Sequence, residues 1–239
     1  MPALSNLPAA LFHHASSHPE EPWLFRAEGW DWRWHSWGEI ARRVQAAAAS
    51  LSAHPVGSHI TFPYTARPDA IVQDLAIQAA GGGAVVLRNG EPVELSPADL
   101  IAMATRIQDQ LAPARGREIV VLSGPLELAQ ERAMLSWATL AGAAVVLEPD
   151  PGLRVATAAW ARPTLFHGTA AELAGLRQWV EKEKGGFLQG RPRLPFRRLR
   201  TLLVTDYEAL AKEEDAFWRG RGVAVLGMSD AAISEKTIR

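Results

Sequence analysis

The chain has 239 residues, 48% of them hydrophobic, with 16 prolines and 19 glycines spread along it, enough to bury a sizeable core. Its 25 basic and 26 acidic residues leave a formal net charge of -1 and a pI near 6.7, so no global field gathers nucleic acid or acidic lipid. The lack of cysteine excludes a disulfide framework, thiolate catalysis and thiolate metal sites, and suits a reducing, cytoplasmic setting. No basic segment followed by an apolar run opens the chain, and no window approaches the roughly 18 apolar residues of a membrane span.

In chain order, residues 6–17 read as a short amphipathic helix. "PWLFRAEGWDWRWHSW" predicts two strands turning at Glu28-Gly29. Trp30, Trp32 and Trp34 alternate on one face of that hairpin and are expected to pack on the neighbouring helix rather than to stack a ligand. "SWGE" at 36–39 is a capping box, with Ser36 closing free amides and Glu39 reaching back, ahead of the apolar period Ile40, Val44, Ala47, Ala48, Leu51. "DAIVQDLAIQAAGGG" predicts a helix ended by glycines, "AVVL" a strand, "NG" a tight turn and "VEL" a short returning strand. Ser96, Pro97 and Asp99 then mark a helix start: a cap, a preset dihedral, and an acid where the helix dipole favours one.

From residue 118 the apolar runs "EIVVLS", "AAVVLEP", "PTLFHG", "RTLLVT" and "GVAVLG" alternate with helical stretches. That pattern predicts an α/β fold, a mainly parallel sheet flanked by helices on both faces, with the hairpin at its N-terminal side. The whole chain reads as a single domain, with a division into two lobes, 1–113 and 114–239, as an open variant. One irregular stretch, "KGGFLQGRPRLPFRRLR", carries arginines 191, 193, 197, 198 and 200, which suit either a phosphate grip or a solvated loop.

Ligands of open parallel sheets sit beyond the carboxyl ends of the strands. The polar residues there are Ser123, Glu148, Asp150, His167, Thr205, Asp206, Ser229 and Asp230. His167 and Asp206 are the candidates for an acid-base pair, set against the ordinary role of such residues as solvated turn groups or structural hydrogen-bonders. The "GGG" at 81–83 follows a predicted helix and precedes a strand, the reverse of the strand-to-helix order that puts phosphate on a helix N-terminus.

The segments "WRWHSWGEIARRVQAAAASL", "ITFPYTARPDAIVQDLAIQAAGG", "EIVVLSGPLELAQERAMLSWATLAGAAVVLEPDPG", "ARPTLFHGTAAELAGL" and "LRTLLVTDYEALAKEEDAFWRGRGVAVLGMSD" come in a familiar order and spacing. Along roughly residues 8–235 they resemble the large N-terminal domain of adenylate-forming (AMP-binding) enzymes, of the long-chain acyl-CoA synthetase type. In that family a hydroxyl-rich loop with Gly-x-Pro-Lys-Gly wraps the ATP phosphates. Here Gly90, Glu91 and Pro92 remain, Leu87-Arg88-Asn89 replaces the hydroxyl-rich part, and Val93 stands where lysine is expected. An internal deletion ahead of this loop would account for its shortness.

The family's Gly-Gly-Ala-Pro, against which adenine lies flat, corresponds to Asp206-Tyr207-Glu208-Ala209, so bulky side chains replace two glycines and the pocket is expected to be filled. Tyr-Gly-x-Thr-Glu corresponds to Leu226-Gly227-Met228-Ser229-Asp230, a vestigial nucleotide motif in which Asp230 keeps a carboxylate for a metal. Leu128 replaces the histidine of Pro-Leu-x-His, while Pro125, Leu126, Glu131 and Arg132 remain. The chain stops at Arg239, and the resemblance implies that the C-terminal domain with the catalytic lysine is missing.

The expectation is therefore a truncated synthetase-like protein that has lost ligase chemistry, uses no cofactor and acts as a binding or regulatory protein. Its partner would be an acyl group, a synthetase-like protein or a second copy in a homodimer. The alternative is an ATP- and magnesium-dependent adenylating enzyme, or a subunit of one, completed by a separate chain.

Overall fold

Four runs of four residues, buried except for the half-buried Ile119, form the middle of the main sheet: β6 (Ile119–Leu122), β7 (Ala144–Leu147), β8 (Leu165–Gly168) and β9 (Thr201–Val204), followed by β10 (Ala224–Gly227). All five run parallel to their neighbours, as strands covered on both faces should. The computed structural model describes residues 6–28, 31–51, 53, 55–62, 64–88, 91–111, 117–122, 126, 128–148, 150, 152–185, 196–228 and 236–237.

The N-terminal hairpin completes this sheet. β1 (Pro22–Glu28) lies parallel to β7 with Leu24 beside Val145, and β2 (Asp31–Ser36) pairs antiparallel with β1. The seven-stranded order is β10-β9-β8-β6-β7-β1-β2. A second sheet joins β3 (His59–Phe62), β4 (Gly83–Arg88), β5 (Glu91–Glu94) and β11 (Lys236–Thr237) in the order β11-β5-β4-β3. Both sheets thus draw strands from either side of residue 113.

Side chains alternate along each main strand, so one face feeds a core with Leu24, Val120, Leu122, Val145, Leu165 and Leu203, and the other a core with Val121, Val146, Phe166, Leu202 and Val225. The first face is covered by α1 (Leu7–Ser17), α2 (Trp37–Ser50), α3 (Pro68–Ala79), α4 (Pro97–Gln110) and α5 (Ala129–Ala141). The second is covered by α6 (Arg154–Ala161), α7 (Ala170–Gly185) and α8 (Lys212–Arg219).

Several helix starts follow the expected chemistry. Asn6, Ser36 and Ser96 accept from the amides of Ala9, Glu39 and Asp99. The carboxylate of Glu39 takes His35 Nδ1 at 2.6 Å, because Ser36 belongs to the ladder of β2. The triple glycine ends α3: Gly81 has φ +81°, and a Cβ on Gly82 would stand 2.9 Å from the Ser58 carbonyl oxygen. These glycines serve a helix end and a close backbone approach.

The tryptophan expectation needs correction. Trp32 and Trp34 do not pack on the neighbouring helix; they are 37% and 52% exposed. Their cross-strand partners are Ala27 and Phe25, and Phe25 belongs to the face opposite α2. The tryptophan that α2 holds is Trp23, stacked on Trp37 at 4.3 Å where β1 enters the sheet. Trp30 lies outside the described residues.

Candidate functional site

Strands β6 and β8 are neighbours, but β6 leads into α5 on one face and β8 into α7 on the other. The carboxyl ends of these two strands are therefore the topological switch point, where open α/β sheets form their crevice. His167 stands there, in register with Leu122 of β6.

His167 Nδ1 lies 2.9 Å from Glu131 Oε1, and its Nε2 lies 3.1 Å from Thr205 Oγ1. Glu131 comes from the first turn of α5, and the two side chains are 2% and 3% exposed. Nε2 shares a hydrogen bond with Thr205 and Nδ1 stands within ion-pair distance of Glu131 without hydrogen-bond alignment, so these contacts link β8 to α5 and to the end of β9. Asp206, the other half of the expected pair, is exposed and turns the opposite way in its bonding: its Oδ1 accepts the Ala170 N–H at 2.6 Å.

The start of α7 is an anion site that the protein fills for itself. Glu172 accepts from the Thr169 N–H at 2.8 Å while Asp206 takes the next amide, so two carboxylates meet the positive end of the helix. Glu172 also receives Arg154 Nη1 at 2.9 Å. An incoming phosphate would have to displace both acids to reach those amides.

Gly227, at the end of β10, faces Tyr207 from the short 3-10 turn Tyr207–Ala209. A Cβ on Gly227 would meet Tyr207 Cβ at 2.9 Å and Cγ at 3.0 Å, so the tyrosine already lies on the bare glycine backbone. Arg219 of α8 fixes this contact, donating to the Tyr207 hydroxyl at 3.4 Å and the Val225 carbonyl at 2.7 Å. Bonding to Asp215 first, and then to Tyr207, raises the guanidinium pKa further above its ordinary value.

Other residues singled out in the sequence have structural duties. Glu148 is buried and accepts from Thr157 Oγ1 at 2.8 Å and the Asp150 amide at 3.0 Å. Arg200 pairs closely with Glu118, while Arg197 and Arg198 are exposed. Ser123, Arg191, Arg193, Ser229 and Asp230 lie outside the described residues. Among the described residues no group of three or more His, Cys, Asp or Glu is placed to hold a metal ion.

A second polar cluster lies deeper, under α1. Arg132 Nη2 approaches both oxygens of Asp74 at 3.3 and 3.2 Å, and its guanidinium sits 5.2 Å from the Tyr64 ring centre. Burial first, and then the nearby Asp74 charge, push the Tyr64 hydroxyl pKa well above its ordinary value. The sequence signal was a charged pair, Glu131-Arg132, inside an otherwise apolar helix; paired burial is the usual condition for such residues.

No protein-family model matches the sequence, and no curated protein matches it either. Solved structures match it in fold. The N-terminal domain of FACL13 from Mycobacterium tuberculosis superposes with a TM-score of 0.74 at 9% identity, over 93% of this chain and 75% of that one. A long-chain-fatty-acid-CoA ligase (FadD1) from Archaeoglobus fulgidus gives 0.70 at 10% identity, over 98% and 66%. The nonribosomal peptide synthetase FmoA3, in an AMPPNP-bound form, gives 0.76 at 13% identity, over 95% and 31%. The chain has the α/β fold of acyl-CoA synthetase N-terminal domains.

Proposed function

We propose that this chain is a non-catalytic relative of acyl-CoA synthetases, a cytoplasmic binding or regulatory protein that takes an acyl group or a protein partner and no nucleotide. The observation that carries this reading is Tyr207 lying on Gly227. The resemblance assigns the segments of these two residues to adenine, and here the segments fill each other's space. The carboxylates of Asp206 and Glu172 on the first amides of α7 support the same reading, since they meet a phosphate with like charge. Val93 in place of the phosphate-loop lysine removes a further charge from the reaction. The residues present therefore do not suit ATP and magnesium.

The test is thermal denaturation of the purified chain with magnesium-ATP, with fatty acid and with acyl-CoA. A ligand at a hundred times its dissociation constant stabilises the native state by about 2.7 kcal/mol, which moves the midpoint by several degrees. The expected result is no shift with ATP and a rise with an acyl ligand or, failing that, with a protein partner. ATP-dependent formation of an acyl-adenylate by the chain, alone or with a complementing chain, would overturn the proposal in favour of an adenylating enzyme.

A further inference from the structure

Between α1, α3 and α5 the polar cluster of Arg132, Asp74 and Tyr64 borders a cavity of about 10 Å3, just the room that the centre of one water molecule needs. Aliphatic side chains, Leu7 of α1 and Leu135 of α5 among them, line it too, and Ser136 and Thr139 of α5 add two hydroxyls.

Arg132 is 1% exposed, and a guanidinium keeps its charge inside a protein, so it cannot escape the cost of burial by giving up a proton. Its Nη2 is placed on Asp74, but its Nε and Nη1 groups meet no protein acceptor among the described residues. The Tyr64 hydroxyl lies near Asp74 and Arg132 without an aligned hydrogen bond of its own. Ser136 and Thr139 donate to the carbonyls of Arg132 and Leu135, at 2.7 and 2.8 Å, which leaves lone pairs on both oxygens. The cavity thus offers donors and acceptors together. Cavities that stay dry are lined by apolar groups, whereas a buried water makes about two to four bonds to polar ones. An anion fits worse, because Asp74 already balances the charge of Arg132.

We propose that this cavity binds one long-lived water, which accepts from the Nε–H or Nη1–H of Arg132 and donates to the hydroxyl oxygens of α5. It completes the bonding of the buried guanidinium and joins it to the helix beneath. One such water is not bulk solvent: Arg132 and Asp74 remain a buried pair, with side chains 1% and 6% exposed. The site belongs to the native fold rather than to the acyl or protein partner, so it stands or falls apart from the proposed function.

A crystal structure of the full chain, at a resolution that shows ordered water, tests it together with a second crystal soaked in bromide. The expected result is a water peak within about 2.7–3.2 Å of Arg132 Nε or Nη1 and of a second polar atom of the cavity, with no anomalous bromide signal there. Oxygen-17 magnetic relaxation dispersion gives the same answer in solution, since it counts waters held longer than the molecule takes to tumble. Ser136→Thr keeps the hydroxyl and adds a methyl of about the size of one water, roughly 30 Å3. That variant is expected to hold one long-lived water fewer than the wild type, with near-UV circular dichroism showing that it keeps its fold. A dry cavity, a bromide ion in place of the water, or an unchanged count in Ser136→Thr would each overturn the proposal.

Discussion

On the face of the main sheet covered by α5, Arg132 meets Asp74 at 3.2 Å from 58 residues away, with side chains 1% and 6% exposed, and Glu131 meets His167 at 2.9 Å. On the opposite face, Arg154 meets Glu172 across two successive helices, and the part-exposed Arg177 lies near the exposed Glu181 and the buried Glu214. The first pairs join elements distant in sequence and sit in the interior. The second lie nearer the rim, Arg154 and Glu172 being 11% and 16% exposed and Arg177 32%, whatever their separation along the chain. Charges on the α5 face therefore hold the arrangement of α3, α5 and β8, where a lost partner leaves an uncompensated buried group; those on the other face adjust helix packing that apolar contacts already fix.

The sharpest way to break this comparison is Arg132→Met. It keeps the length of the side chain but leaves Asp74 buried with Gln78 Nε2, at 2.9 Å from its own helix, and the neutral Tyr64 hydroxyl, neither of which carries a compensating charge. The expected loss is about 3–5 kcal/mol, read from the midpoint of urea unfolding at constant slope. Adding Asp74→Leu should recover most of that loss, since an apolar replacement of a buried pair is often neutral. A loss below about 1 kcal/mol for the single variant would mean the pair is hydrated and the two faces are alike.

Glu172→Gln sharpens the contrast from the other side. The amide can still accept from Thr169 at the start of α7, so the change isolates the charge shared with Arg154. The expected loss is about 1 kcal/mol, and it should shrink as salt is added. The Arg132→Met deficit should hardly change with salt, because buried charges are screened little. Equal salt sensitivity in the two variants would erase the distinction.

Much of this fold was legible in the sequence because its signals are local. The runs around residues 119–122, 144–147, 165–168, 201–204 and 224–227 are continuous apolar strands between helices, and a parallel sheet follows from that alternation. The Asn6 and Ser96 caps need only a few adjacent residues. What was not legible depends on which elements meet. Nothing in "WRWHSW" tells that β1 adds to β7 and leaves β2 as the free edge, so Trp32 and Trp34 were expected against α2 and are found in solvent. The partner of His167 was equally hidden: Glu131 lies 36 residues earlier and reaches it only because α5 crosses the switch point. Tyr207 could be read as filling a space, while its seat on Gly227 requires β9 and β10 to be neighbours.

His14 gives the smallest effect and the finest test of the α5 face. It lies half-buried on α1, its ring 4.7 Å from that of Trp37 and within 2.8 Å of where a Cβ on Gly142 would stand. Burial, aided by the nearby His13 and His18 charges and opposed by backbone contacts at Leu140 and Thr139, lowers its pKa below the ordinary 6.5. Well above pH 6.5 the ring is neutral whether the chain is folded or not, and it adds no pH dependence. As the pH falls below 6.5 the unfolded chain takes up the proton first, so stability declines until the pH passes the lowered folded pKa, where the loss levels off. His14→Gln removes that uptake and should flatten the fall in thermal midpoint between pH 6.5 and mildly acidic values, even if it lowers the whole curve through lost stacking on Trp37. An unchanged slope would mean that α1 admits a charged ring against α5, and that this face tolerates unpaired charge after all.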